Sequence, residues 1–129
     1  MSRTVTIVIP GRPPTPNVAV RFGNWQQRNR TVGQWRDAAI AAADAALEPV
    51  ADGWKPIARA SLRVTFVLPD RRARDMDNLV ASSKCLTDGL VRAGVLAGDS
   101  IHHIVRAEYG WRYEPGVSAT EYTIEEDAA

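Results

Sequence analysis

Cysteine and lysine are scarce in this 129-residue chain: it has one cysteine, Cys85, and two lysines, Lys55 and Lys84. A single cysteine excludes an intrachain disulfide and gives no reason to infer an oxidising compartment. No run of about 18 apolar residues occurs, so no transmembrane helix is expected. The N-terminal stretch MSRTVTIVIPGRPP alternates like a strand and lacks a signal-peptide cleavage pattern. The expectation is a cytoplasmic protein with no membrane contact. Repeats, low-complexity tracts and internal linkers are also missing, which makes residues 1–129 a single domain.

What is present is arginine, and it is unevenly placed. The net charge is +1, yet residues 1–36 hold six arginines (Arg3, Arg12, Arg21, Arg28, Arg30, Arg36) and no acid. Residues 114–129 hold five acids and no base. Arginines interleaved with Phe22, Trp25 and Trp35 suit a nucleic-acid face, and they suit a solubilised hairpin equally well. Charge alone does not choose.

Alternation in RTVTIVIPG predicts a strand over residues 3–9. GRPPTPNVAVRFGNWQQRNRT reads as a long loop, and QWRDAAIAAADAAL as an alanine-rich helix. RASLRVTFVLP puts Leu62, Val64, Phe66 and Leu68 on one face of a second strand that stops at Pro69. Leu79, Ser83, Leu86, Leu90 and Ala93 mark the inner stripe of a helix from Asn78 to about Ala93, ended by Gly94. HHIVRAEYGWRY and SATEYTIEE predict two final strands joined through EPGV. This order predicts an α+β fold, a small mixed or antiparallel sheet with two main helices.

Between the second strand and its helix lies PDRRARDMDNL, residues 69–79. Asp75 and Asp77 stand two apart, so on extended chain both carboxylates point one way and can reach one cation. Oxygen-only ligands suit Mg²⁺ or Mn²⁺ over zinc. The competing reading is structural, because an aspartate before a helix commonly serves as its N-cap. Arg71, Arg72 and Arg74 are phosphate clamps on the first reading and a solvated turn on the second.

Asn78 and Leu79 follow directly, Lys84 lies within the helix, and AGVLAGDS presents Asp99. The set RDMDNL…K…DGLVRAGVLAGDS resembles the RusA family of Holliday-junction resolvases. PGRPPTPN, ending at Asn17, is similar to that family's proline-rich turn after its first strand. The resemblance implies a RusA-like, homodimeric α+β fold and a crossover junction endodeoxyribonuclease, common in phages. Such an enzyme is a metal-dependent phosphodiester hydrolase that resolves four-way DNA by paired symmetric nicks in recombination and repair. Its cofactor is Mg²⁺, with Mn²⁺ as a substitute, and its partners are branched DNA and a second subunit.

Asp75 and Asp77 match the family's paired metal-binding aspartates, and Asp99 matches its third catalytic aspartate. Two positions depart from the pattern. Ala81 stands where the best-known form has a basic residue, and Lys84, seven after Asp77, is expected to present its ammonium from the same helical face. Gly98 precedes Asp99 where the family often has a second aspartate.

These matches set the expected roles. Asp75, Asp77 and Asp99 hold metal, one of them also assisting as general base. Lys84 stabilises transition-state charge, unless it is a surface lysine paired with Asp88. Arg71, Arg72, Arg74, Arg21, Arg28, Arg30 and Asn17 contact DNA, while Phe22 and Trp25 stack on exposed bases or bury in a dimer interface. A helix of about 15 residues is roughly 22 Å long, which leaves Asp99 far from Asp77. An early end or bend at Gly89 is favoured over a third carboxylate from the other subunit, because glycine is a poor helix-interior residue.

The remaining candidates have plainer expected roles. His102 and His103 are neighbours that point to opposite strand faces, not a ligand pair. Cys85 is a small helix residue and Asp70 a turn residue. Trp35, Trp54 and Trp111 belong to core or interface. Two rivals stand beside the enzyme: a non-cleaving branched-DNA-binding protein of the same fold, and an interaction protein whose arginine-rich loop takes an acidic partner.

Overall fold

The computed structural model describes residues 2–14 and 25–127, with the backbone alone for 25–28. In chain order the elements are β1 (Thr4–Pro10), α1 (Trp25–Leu47), β2 (Ala60–Leu68), α2 (Met76–Ser82), α3 (Lys84–Arg92), β3 (Ile104–Tyr113) and β4 (Ala119–Glu126). They form a mixed α+β fold around one four-stranded sheet of order β1-β4-β2-β3. No helix among the described residues is long and apolar enough to cross a membrane.

The last two strands are not a hairpin. β2 lies between them, antiparallel to β4 and parallel to β3. Parallel neighbours need a crossover rather than a tight turn, and residues 69–103 supply it, carrying α2 and α3. Alternation within a strand reveals its faces but not its neighbours.

One sheet face is apolar. Ile7, Ile9, Leu62, Val64, Phe66, Tyr122 and Ile124 are buried there. Ala39, Ala43 and Leu47 of α1, Leu79 of α2, and Leu86 and Leu90 of α3 close over them. The helices form a single layer, and the other sheet face exposes Val8 and Arg63 while burying Val67. β3 escapes the helical cover. Ala107, Tyr109 and Trp111 lie level with Leu62, Val64 and Phe66, yet all three are exposed.

α1 begins at Trp25, so residues 25–31, read from sequence as loop, are helical. Gln26, Gln27, Arg28 and Arg30 are good helix formers, but the proline- and glycine-rich stretch before them masked the boundary. The expected long helix after β2 is instead two, and the break falls at Ser83. The Ser82 hydroxyl donates to the Leu79 carbonyl at 2.6 Å and the Ser83 hydroxyl to that of Val80 at 2.7 Å. Such back-bonding competes with the helical ladder. The Tyr122 hydroxyl donates to the Ser83 carbonyl at 3.1 Å; burial pushes this phenol well above its ordinary range, so its proton stays.

Gly89 bends nothing; it is a buried contact between helices. A Cβ there would stand 2.6 Å from the Arg36 carbonyl oxygen and 2.8 Å from the Ala39 Cβ, so glycine lets α1 and α3 touch. α3 stops where the sequence says, with Gly94 at φ +84° and the Val95 N–H donating to the Leu90 carbonyl at 3.0 Å. Ile57 then pairs with Leu96. Its N–H donates to Val95 and its carbonyl accepts from Ala97, both at 2.9 Å, which pins the chain just before Asp99.

Candidate functional site

Asp70 organises the loop between β2 and α2. Its carboxylate accepts from the Arg72 N–H and the Arg72 Nη2, each at 3.1 Å, and from the Arg74 Nη2 at 2.8 Å. The Arg72 N–H, then the two guanidinium groups, hold this carboxyl at about 2, below its ordinary 3.8. Arg74 also donates to the carbonyls of Asp70 and Arg72, at 3.1 and 2.9 Å. Its side chain is only 17% exposed, so it is a strut of the loop more than a free clamp. Arg72 is 83% exposed at its side chain, and the exposed Arg71 guanidinium lies 4.3 Å over the Tyr113 ring.

Arg12 joins this group from the segment after β1. Burial, then the neighbouring Arg74, lowers its guanidinium pKa, while Asp70 acts the other way. Its Nε is buried without a hydrogen-bond partner among the described residues. The sequence placed Arg12 only in a basic first third. Nothing local to it announced a position beside Arg74.

Asp75 occupies the N-cap position of α2, at φ −80° and ψ 128°, but its side chain makes no capping hydrogen bond. Asp77 sits in the first turn of the same helix. Both carboxylates are exposed, and neither has a hydrogen-bond or ion-pair partner among the described residues. The structural role expected of such an aspartate is therefore vacant at Asp75, in contrast to the fully engaged Asp70.

Lys84 and Asp99 line one cavity of about 330 Å³ with Ala81, Thr87 and Tyr109. Lys84 is the first residue of α3, so the expected shared face with Asp77 on one helix does not exist. The turn at Ser83 nonetheless delivers Lys84 to the same cavity as Ala81, and Ala81 stands one turn beyond Asp77 on α2. Asp88 does not pair with Lys84; it takes Arg92 at 3.2 Å and Arg36 at 3.8 Å. A second cavity, of about 410 Å³, is lined by Arg71, Arg72, Met76, Trp111 and Tyr113. Tyr109 in one cavity and Trp111 in the other place both along the uncovered face of β3.

The donors at Asp75, Asp77 and Asp99 are carboxylate oxygens free of other bonds among the described residues. Among the described residues no three His, Cys, Asp or Glu side chains form a group that could hold a metal ion. These free oxygens fit a hard cation that keeps several waters and takes one or two carboxylates plus phosphate oxygens, which is the habit of Mg²⁺. A closed, all-protein cage is not what this arrangement offers.

His103 is a packing residue: its Nδ1 lies 2.8 Å from the Ala58 carbonyl oxygen, and a Cβ on Gly98 would meet its Cδ2 at 2.4 Å. The glycine before Asp99 makes room for that ring. Cys85 is partly buried and its thiol pKa is raised, first by burial. Trp35 and Trp54 pack on the core, whereas Trp111 is 59% exposed. Arg30 is exposed on α1. Trp25 and Arg28 open α1, where the backbone alone is described, and Asn17, Arg21 and Phe22 lie outside the described residues.

No known family model matches this chain, and no curated protein matches it.

Proposed function

We propose that the protein is a Mg²⁺-dependent, structure-specific endonuclease that resolves Holliday junctions as a homodimer, with branched DNA as its substrate. The reading rests on the resemblance of residues 74–100 to the RusA family. The observation that carries it is the pair of exposed carboxylates at Asp75 and Asp77, without a partner among the described residues, which follow a braced arginine loop in the chain and precede Lys84, itself lining one cavity with Asp99.

Asp75 and Asp77 would hold the metal, with Asp99 as the third carboxylate. When bound, the ion supplies charge neutralisation and Lewis acidity toward a phosphodiester. The chain's own residues do the rest. Arg71 and Arg72, exposed on a loop that Asp70 braces, draw in and orient backbone phosphate. Asp99 is free to accept a proton from attacking water. Lys84, on the same cavity wall, meets the negative charge that develops on the transferring phosphoryl group, and Asp88 on its own helix is engaged by Arg92 and Arg36 instead. A homodimer suits a four-way junction, which offers two equivalent strands to two equivalent sites.

The test is a labelled synthetic four-way junction incubated with the protein and Mg²⁺, Mn²⁺ or EDTA. Paired symmetric nicks that require the divalent ion support the enzyme. Tight junction binding without cleavage under either ion would favour a non-cleaving DNA-binding protein of this fold.

A further inference from the structure

Among the described residues β3 has one bonded edge and one free edge. It is the outer strand of the sheet, ten residues long, and Val105 to Tyr109 are exposed without a break. Long exposed edges are templates for further strands, and proteins ordinarily blunt them. This one carries no proline and no lysine.

Mid-strand stands Gly110. Glycine weakens a strand interior and commonly marks a place where another backbone comes close. Nothing in the described chain accounts for it: its φ is not positive, and an added Cβ would meet nothing within 4 Å.

We propose that β3 pairs antiparallel with β3 of a second copy, about a twofold axis at Gly110, to make one continuous eight-stranded sheet. The register follows from the residues. The Glu114 N–H donates to the Leu68 carbonyl at 2.9 Å, so Glu114 turns its backbone groups toward β2. By alternation Arg112, Gly110 and Glu108 do the same, which leaves those of Ala107, Tyr109, Trp111 and Tyr113 free at the edge. Centring the axis on Gly110 hydrogen-bonds Tyr109 to Trp111 of the second copy and Ala107 to Tyr113, in both directions.

On the open sheet face the same register sets Glu108 opposite Arg112 and Arg106 opposite Glu114, again in both directions. The charge order plus, minus, none, plus, minus over residues 106, 108, 110, 112 and 114 is therefore its own complement when reversed. Centring on Glu108 instead would oppose that glutamate to itself, and centring on Tyr109 would oppose Arg106 to Arg112. Centring on Trp111 would oppose Glu108 to Glu114. On the helical face the cross-strand pair is Tyr109 with Trp111, an aromatic pair of the kind that stabilises sheets. Gly110 meets its counterpart as a non-hydrogen-bonded pair, where two strands approach most closely.

This inference names the interface of the dimer in the proposed reading but does not depend on the nuclease chemistry, and its test reads mass rather than cleavage. Sedimentation equilibrium of the full chain should show a dimer. Arg106→Glu and Glu114→Arg should each weaken it on the order of tenfold, and the double exchange should restore it. Gly110→Cys should cross-link the dimer covalently under mild oxidation, and Val8→Cys on the opposite edge strand should not. A monomer at the highest soluble concentration overturns the proposal. So does a dimer that both single exchanges leave intact and Gly110→Cys fails to cross-link.

Discussion

The imidazole of His103 occupies the space that a side chain at residue 98 would need: a Cβ on Gly98 would lie 2.4 Å from the His103 Cδ2. The ring is held in turn by the Ala58 carbonyl, 2.8 Å from its Nδ1. Asp99 follows Gly98 directly, so its placement depends on this contact. Gly98→Ala should displace the ring, lower stability by about 1–3 kcal/mol through overpacking, and reduce junction cleavage more than junction binding. Gly98→Ala combined with His103→Ala should recover part of both. Thermal unfolding and a cleavage assay read the two effects; an inert Gly98→Ala would contradict the coupling.

Gly89 provides a second steric prediction. On an exposed helix, glycine to alanine stabilises by about 1 kcal/mol. Here the new methyl would stand 2.6 Å from the Arg36 carbonyl oxygen, so the sign should reverse. Gly89→Ala is expected to cost about 1–3 kcal/mol in urea unfolding, with α1 forced away from α3.

Asp70 sets a pH dependence. Its folded pKa of about 2 lies below the ordinary 3.8, so its contribution to the folded loop is fully present above pH ~4. That contribution is lost as pH falls toward about 2. Titration of the Asp70 carboxyl by NMR should show the depressed value. Asp70→Asn should flatten the acid limb of stability between those two pH values, and should weaken junction binding by releasing Arg72 and Arg74.

Lys84 is predicted to act on the reaction more than on binding. Lys84→Ala should lower the cleavage rate by about 10²–10³ and leave junction affinity within a few-fold, with Lys84→Arg recovering part of the rate. Equal losses in binding and rate would make it an ordinary phosphate contact.

Much of the fold was legible in the sequence because period and punctuation are local. The inner faces of β1 and β2, the stop of α3 at Gly94 and the α+β class all follow from patterns within about ten residues. Two of the misreadings involve partners distant in sequence. Nothing local to HHIVRAEYGWRY says that β2 separates it from β4, and Gly89 looked like a helix bend because its neighbour, α1, lies some fifty residues earlier. The adjacent serines at 82 and 83 were a readable signal for the true break, since both hydroxyls bond back to carbonyls three residues earlier. At the site, spacing picked out Asp75 and Asp77, while the brace made by Asp70 and the approach of Arg12 to Arg74 exist only in three dimensions.

The most direct test of the central claim compares wild type with Asp75→Asn, Asp77→Asn and Asp99→Asn on a four-way junction in Mg²⁺. Each substitution keeps shape and removes one charge from an exposed side chain without a partner among the described residues, so folding should be unchanged. The account predicts that all three variants bind the junction at least as tightly as wild type and lose its paired nicks by several orders of magnitude. Wild-type cleavage rates in the Asp75→Asn and Asp77→Asn variants would contradict it.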